Sequence, residues 1–250
     1  MHSPDAFAHV MVLTGAGVSA DSGVRTFRDA GGLWEGHRPE EVATPEAWQR
    51  DRKLVWRFYQ ERRGQLPTVA PNPAHRALCE LQRRLERAHL GFTLVTQNVD
   101  DLHERAGSRP IHMHGELAVL RCERCEERVR DLEHVDLCTF VPCAACGCEA
   151  LRPDVVWFGE MPYHLDAIER AVQRCTHFLA IGTSGLVWPA AGLLSAARGR
   201  GAQTWVQSLD PPDNLHPADR FWPGRAAVVV PALVEELYGV LGLEAGPGGS

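Results

Sequence analysis

Six of the chain's eight cysteines fall between Cys122 and Cys148, and four of them form two Cys-x2-Cys pairs. Cys122 pairs with Cys125; seventeen residues later Cys143 pairs with Cys146. A two-residue gap lets a tight turn aim two thiolates at one ion, and a second pair completes a tetrahedron. The spacing therefore predicts one Zn2+ held by Cys122, Cys125, Cys143 and Cys146. Cys143-x4-Cys148 is also a workable spacing, so Cys148 is the alternative to Cys146; Gly147 suits the turn after a knuckle and favours Cys146. Four protein thiolates leave no open coordination position, so the metal is expected to be structural. Cys79 and Cys175 lie in apolar helical contexts and read as small buried hydrophobes.

A second chemical pattern is Gly15-x-Gly17-x-x-Ala20, which directly follows an apolar run at residues 10–13. It matches the dinucleotide fingerprint with Ala as the third small residue, and a helix N-terminus beside such glycines can hold a phosphate. An ordinary dehydrogenase would continue through a helix into a second strand ending in Asp or Glu. This chain reads Ser22-Gly23-Val24-Arg25-Thr26-Phe27-Arg28-Asp29 instead. The loop is thus expected to bind a dinucleotide, but outside the usual hydride-transfer arrangement.

These loops need elements to hold them. Short apolar strands are expected at residues 10–13, 92–96, 177–181, 204–206 and 226–230. Helices are expected at 75–88, 165–175, 190–200 and 231–243. The alternation implies an α/β fold with a Rossmann-like, doubly wound parallel sheet. Two insertions interrupt it, a helical segment at 27–73 and the cysteine-bearing segment at 121–152. Together they are expected to form a smaller zinc-binding and helical domain over a sheet domain made of 1–26, 74–120 and 153–243. The Gly/Pro-rich 244–250 reads as a flexible tail.

Composition limits the alternatives. The chain has 250 residues, 44% hydrophobic and 23% charged, which suffices for a sizeable core. Its net charge of −6 argues against nucleic-acid or membrane-surface binding. No apolar run approaches the 18 residues of a membrane span. The N-terminal residues lack the charged and apolar parts of a targeting segment, so a cytoplasmic location is expected. Lys53 is the one lysine beside 25 arginines, as GC-rich coding would give.

Several motifs taken together resemble the sirtuin family of NAD-dependent protein deacylases. They are Gly15-Ala16-Gly17-Val18-Ser19 with Ser22-Gly23 and Phe27-Arg28, Thr96-Gln97-Asn98-Val99-Asp100, His114-Gly115-Glu116-Leu117, and the two cysteine pairs. Val155-Val156-Trp157-Phe158-Gly159-Glu160 and Gly182-Thr183-Ser184 with Val187 and Pro189-Ala190 complete the set, in the family's order. The chain looks most like the bacterial members, including those that remove acidic acyl groups.

The resemblance implies that NAD is a co-substrate, with nicotinamide released and the acyl group of a modified protein lysine leaving as O-acyl-ADP-ribose. His114 is the implied general base, a role that suits a side chain titrating near 6.5; the neighbouring His112 reads as a core histidine. Asn98 and Asp100 are the implied polar groups orienting the ribose, carboxamide or attacking water, although Asp100 also suits an Asx turn. The implied cofactor contacts are Gly15, Ala16, Gly17, Ser19, Phe27, Arg28, Trp34, Gln97, Asn98, Val99, Asp100, Gly182, Thr183, Ser184, Ser208, Leu209, Asp210 and Ala226. Ser208 stands where the family usually has an Asn against the adenosine ribose. Val156, Phe158, Gly159, Glu160 and Val187 are the implied edges that hold an extended substrate. Tyr59 and Arg62, three apart on a helix that begins near Thr44-Pro45-Glu46, match the family's Tyr-x-x-Arg pair for the distal carboxylate of succinyl- or malonyl-lysine.

Two other readings use the same residues. A mono-ADP-ribosyltransferase would share NAD cleavage, and the Tyr59/Arg62 pair favours deacylation over it. A zinc-knuckle nucleic-acid binder would need a basic surface. Arg121, Arg124, Arg128 and Arg130 are instead balanced by Glu123, Glu126, Glu127 and Asp131.

Overall fold

The computed structural model describes residues 8–24 and 36–243. Phe27, Arg28, Trp34 and the expected tail at 244–250 lie outside the described residues. In chain order the elements are β1 (His9–Thr14), α1 (Gly17–Ala20), α2 (Pro39–Val42), α3 (Pro45–Arg50), α4 (Arg52–Gln65), α5 (Pro73–Arg87), β2 (Gly91–Thr96), α6 (Leu102–Ala106), β3 (Ile111–His112), β4 (Gly115–Arg121) and β5 (Arg128–Arg130). There follow β6 (Arg152–Val155), α7 (Leu165–Arg174), β7 (His177–Ile181), α8 (Ala190–Gly199), β8 (Gln203–Ser208), β9 (Arg220–Pro223) and α9 (Ala226–Val240).

Among the described residues, six strands form a parallel sheet in the order β3-β2-β1-β7-β8-β9. Period-two alternation sorts its side chains between two cores. Val10, Val12, Leu179, Ile181 and Trp205 face α5 and α9, against Leu78, Leu81, Leu85, Leu233 and Leu237. Met11, Leu13, Phe178, Ala180 and Val206 face α7 and α8, against Ile168, Val172 and Leu194. Strands buried on both faces read as continuous apolar runs, which is why β1 and β7 are so plain in the sequence.

A smaller antiparallel sheet, β5-β4-β6, draws on the segments flanking the cysteine insertion. Its core joins Leu117, Leu120, Leu151 and Trp157 to Trp48, Val55, Trp56, Phe58 and Tyr59 of α3 and α4. The helix expected from Thr44 starts as predicted: Thr44 Oγ1 accepts from Ala47 N at 3.0 Å, with Pro45 and Glu46 in the first turn. It does not run through to Arg62. Asp51 ends α3 and caps α4, its Oδ1 accepting from Leu54 N at 3.0 Å.

One expected strand is a helix. Residues 226–230 open α9, and Pro231 lies inside that helix rather than near its start. The β-branched run Val228-Val229-Val230 before a proline imitates a buried strand. What decides against it is tertiary: Asp21 Oδ2 accepts from Ala227 N at 3.1 Å and so caps the helix. Ala226, Val230, Leu233, Val234 and Leu237 then fall on one buried face, while Val228 is exposed. The sixth place in the sheet belongs to β9, whose Arg220 and Pro223 are exposed and whose Phe221 and Trp222 are half-buried.

Candidate active site

The parallel sheet reverses its winding between β1 and β7, and this is where an open α/β sheet places its ligand. The two loops leaving these strands touch. Gly15 N donates to Ile181 O at 2.9 Å and Gly17 N to Gly182 O at 2.8 Å. Gly182 has φ of +62°, and a Cβ there would lie 2.4 Å from Val18 N; a Cβ on Gly17 would lie 2.7 Å from Gly182 Cα. Both glycines are thus required by the contact between the loops. α1 is a single turn of four residues.

Above these loops lies a cavity of about 900 Å³, at the upper end of small-molecule site volumes. Of the implied cofactor residues, Gly15, Ala16, Gly17, Gln97, Asn98, Val99, Asp100, Gly182, Thr183, Ser184, Ser208, Leu209 and Ala226 line it. Ser19 is fully buried beneath the wall, where its Oγ accepts from Asn98 Nδ2 at 3.0 Å. Asp210 is not among the lining residues; its carbonyl accepts the Ser208 hydroxyl at 2.5 Å. That bond folds Ser208 onto its own turn. The implied contacts Phe27, Arg28 and Trp34 lie outside the described residues.

A buried polar layer supports the lining, and most of it escaped the sequence reading. Thr14 Oγ1 donates to Thr96 Oγ1 at 2.9 Å and lies 3.0 Å from His103 Nε2, while Thr96 Oγ1 also accepts from Asn98 N at 3.1 Å. His75 Nε2 lies 3.4 Å from Ser19 Oγ. Burial pushes His75 down to about 4 and His103 well below its ordinary value, so both are neutral at pH 7. The only signal of this layer was the residue type, and buried histidines look like any others in a sequence. Asp100 Oδ1 accepts from Leu102 N at 3.1 Å, the Asx-type turn, and burial raises its pKa.

His114 follows β3 and enters the cavity wall beside Gln97 and Asn98. Its Nδ1 lies 3.1 Å from Gln97 O. A carbonyl only accepts, so Nδ1 carries the proton and Nε2 keeps its lone pair. Burial lowers the His114 pKa, which favours the neutral ring that a general base needs. Gly115 allows the turn into β4: its φ is +78°, and a Cβ would lie 2.0 Å from Asp154 O.

At the other end of the cavity, α4 contributes Tyr59 and Arg62, both buried and both in the lining. Trp157 Nε1 donates to Tyr59 Oη at 2.9 Å, and the Arg62 guanidinium lies 5.7 Å from the Phe58 ring and 6.0 Å from the Tyr59 ring. Burial pushes the Tyr59 pKa up to about 12, so it remains a neutral phenol. The implied substrate edges, Val156, Phe158, Gly159, Glu160 and Val187, all line the cavity, and Phe158, Leu186, Val187 and Trp188 are exposed at its mouth. Glu160 is also tied inward. It takes a two-point contact from Arg152 at 2.7 and 2.9 Å and accepts from Trp157 N at 2.8 Å. It therefore braces the turn that presents Phe158 and Gly159. Trp157, which the Arg152 guanidinium covers at 3.4 Å, was not picked out as a site residue from sequence.

The cysteine cluster is distant in role. Sγ atoms of Cys122, Cys125, Cys143 and Cys146 all lie within 4.8 Å of one another, with Cys122–Cys146 and Cys125–Cys143 at 3.6 Å. Tetrahedral Zn–S bonds of about 2.3 Å place sulfurs about 3.8 Å apart, so the set fits zinc. Cys148 is turned toward Ala150 O at 3.6 Å, which separates it from the cluster.

A profile described as the Sir2 family matches residues 15–189. The chain belongs to the Sir2 family. It is 48% identical over 235 residues to "NAD-dependent protein deacylase SIR2rp3" of Trypanosoma brucei brucei, covering 91% of this chain and 94% of the relative. It is also 48% identical to an NAD-dependent protein deacylase of Shewanella oneidensis, with 92% and 95% covered. Among solved structures, a Sir2 homologue in complex with NAD superposes with a TM-score of 0.82 at 40% identity, covering 93% of this chain and 90% of that one. Sir2Af2 bound to a myristoylated histone peptide gives 0.70 at 30% identity, with 94% and 93% covered. No helix among this Sir2 chain's described residues is long and apolar enough to cross a membrane.

Proposed function

We propose that this Sir2 enzyme, an NAD-dependent protein deacylase acting on acylated lysine in protein substrates, takes acidic acyl groups such as succinyl and malonyl as well as acetyl. NAD as co-substrate supplies an activated ribose that accepts the acyl group, and the structural Zn2+ would be held by Cys122, Cys125, Cys143 and Cys146. The chain's own residues divide the remaining work. Gly15, Gly17 and Gly182 let the loops after β1 and β7 approach closely enough to form the cofactor floor. Asn98 is held by Ser19, and Asp100 by its turn, where both can orient polar groups of the cofactor. His114 Nε2 takes a proton from a ribose hydroxyl, with its Nδ1–H fixed on Gln97 O. The exposed apolar rims at Phe158 and Val187 flank an extended peptide, whose main chain can pair with them largely irrespective of sequence.

The observation that carries the acyl preference is Tyr59 beside Arg62 in the cavity wall. A buried guanidinium with an adjacent neutral phenol suits a terminal carboxylate, and a fully apolar end would suit a fatty acyl chain better. The test compares acetyl- and succinyl-lysine on one peptide. Arg62→Met keeps much of the apolar volume and removes the charge. Contacts to charged groups contribute about 1.5–3 kcal/mol, so succinyl kcat/KM should fall roughly tenfold to a hundredfold or more while acetyl turnover holds or rises. Tyr59→Phe should act in the same direction, more weakly. Equal losses on both substrates would place Arg62 in the fold.

A further inference from the structure

His112 stands two residues before the proposed base, and the reaction as described makes no use of it. It lies on β3, opposite Thr96 of β2, and is buried. Both of its ring nitrogens face acceptors. Nδ1 lies 3.1 Å from the main-chain oxygen of Asn98, and Nε2 lies 2.5 Å from Glu104 Oε1. A carbonyl and an ionised carboxylate only accept, so a neutral imidazole could satisfy one of them and not both. Glu104 approaches from α6, Glu116 from β4 and Asp100 from the segment after β2; His103 of α6 is close and held neutral by burial. Beyond them Arg130 pairs with Glu116 at 3.0 Å and with Asp101 at 3.9 Å. The balance of charge facing the ring is negative.

We infer that His112 is a positioning residue for the deacylation: an imidazolium that ties the Asn98 carbonyl to the Glu104 carboxylate and sets its positive charge beside Asp100. The inference rests on the reading of His114 as the base. The carbonyls of Gln97 and Asn98, consecutive at the end of β2, are each held by one histidine, Gln97 O by His114 and Asn98 O by His112. Fixing Asn98 O fixes the peptide from which the Asn98 side chain reaches Ser19. Together with the hydrogen bonds from Leu102 N and Ser19, the charge also opposes the desolvation that raises the Asp100 pKa. Burial works against charging His112 as well, but the Glu104 hydrogen bond and the neighbouring carboxylates outweigh it and raise its pKa. Two histidines two positions apart are thus held in opposite protonation states.

The test is Glu104→Gln, which keeps an acceptor in place and removes its charge. Histidine-labelled enzyme is followed by NMR through a pH titration, with the His112 signal assigned by its absence in His112→Gln. His112 should titrate above the ordinary histidine value of 6.5 in the unaltered enzyme and at lower pH in Glu104→Gln. In parallel, kcat/KM of Glu104→Gln should match the unaltered enzyme at a pH below the variant's own His112 midpoint, where His112 is protonated in both. At a pH between the two His112 midpoints it should be lower by roughly threefold to tenfold. A His112 midpoint at or below 6.5 in the unaltered enzyme overturns the inference. So does an equal loss at both pH values with the midpoint unmoved, which would make the contact mere packing. Failure to deacylate any peptide would instead strike the proposed function, and the NMR titration would still report on His112.

Discussion

His114, the proposed base, shows how much of such a role can be derived from one contact. Its Nδ1 faces an oxygen that can only accept, so the tautomer is settled and Nε2 is the basic nitrogen. Because burial lowers its pKa, the ring stays a competent base as the pH falls below 6.5, and turnover should be lost only as the pH passes through the lowered value. The acid limb of kcat/KM against pH should therefore lie below 6.5. His114→Ala should keep NAD binding, read by calorimetry, and lose turnover by roughly 10²–10⁴-fold, as expected for removal of a general base. An acid limb above 6.5, or near-normal turnover in the variant, would assign the base elsewhere. Asp100 works in the opposite sense, since burial raises its pKa; its neighbour's charge limits that rise.

At the scale of elements, α9 carries the clearest tertiary dependence. Asp21 caps it through Ala227 N and pairs with Arg225, whose Nε lies 2.7 Å from Asp21 Oδ1. Loss of a helix cap costs about 0.5–2 kcal/mol, so Asp21→Ala should lower stability to urea by about that amount, and Asp21→Asn, which retains an acceptor, by less. An unchanged midpoint in Asp21→Ala would show that α9 needs no such cap. The same contact explains what a sequence reader can and cannot see. β1, β2, β7 and β8 are legible because each is an apolar run ending at polar or glycine residues where the chain must turn. The glycine loops and cysteine pairs are legible because spacing alone carries their chemistry. The start of α9 is not, because its deciding partner lies 206 positions away. β9, with Arg220 and Pro223 at its ends, has too short a pattern to register. Likewise the protonation states of His75, His103 and His112 depend on burial and on partners from other elements, which no local window contains.

The whole molecule joins the two cores of the parallel sheet to a third, smaller core that fails differently. The sheet cores contain no cysteine of the metal cluster, whereas Cys122 and Cys143 are buried within the smaller core beside Trp48, Trp56 and Leu120. The cysteine segment is also bonded directly to α3 and α4, the second of which carries Tyr59 and Arg62. Trp48 Nε1 donates to Glu123 at 2.8 Å, Trp56 Nε1 to Asp136 O at 2.9 Å, and the buried Arg63 to Asp131 O. Through these bonds the placement of Tyr59 and Arg62 on α4 is expected to depend on the folded cysteine segment. Without an ion, four sulfurs a few ångströms apart lose the bonds that keep them together, and metal binding to such a cluster is itself folding free energy. Removing zinc with a chelator, or replacing Cys125 with Ser, should abolish deacylation by disordering the cysteine segment and the smaller core around it. Most of the far-ultraviolet circular dichroism of the sheet and its flanking helices should survive. Returning Zn2+ to the chelated protein should restore activity in step with stoichiometry, approaching one ion per chain by elemental analysis. Full turnover in protein carrying essentially no zinc would show that the helices position Tyr59 and Arg62 without the metal, and the coupling of the smaller core to the ion would have to be abandoned.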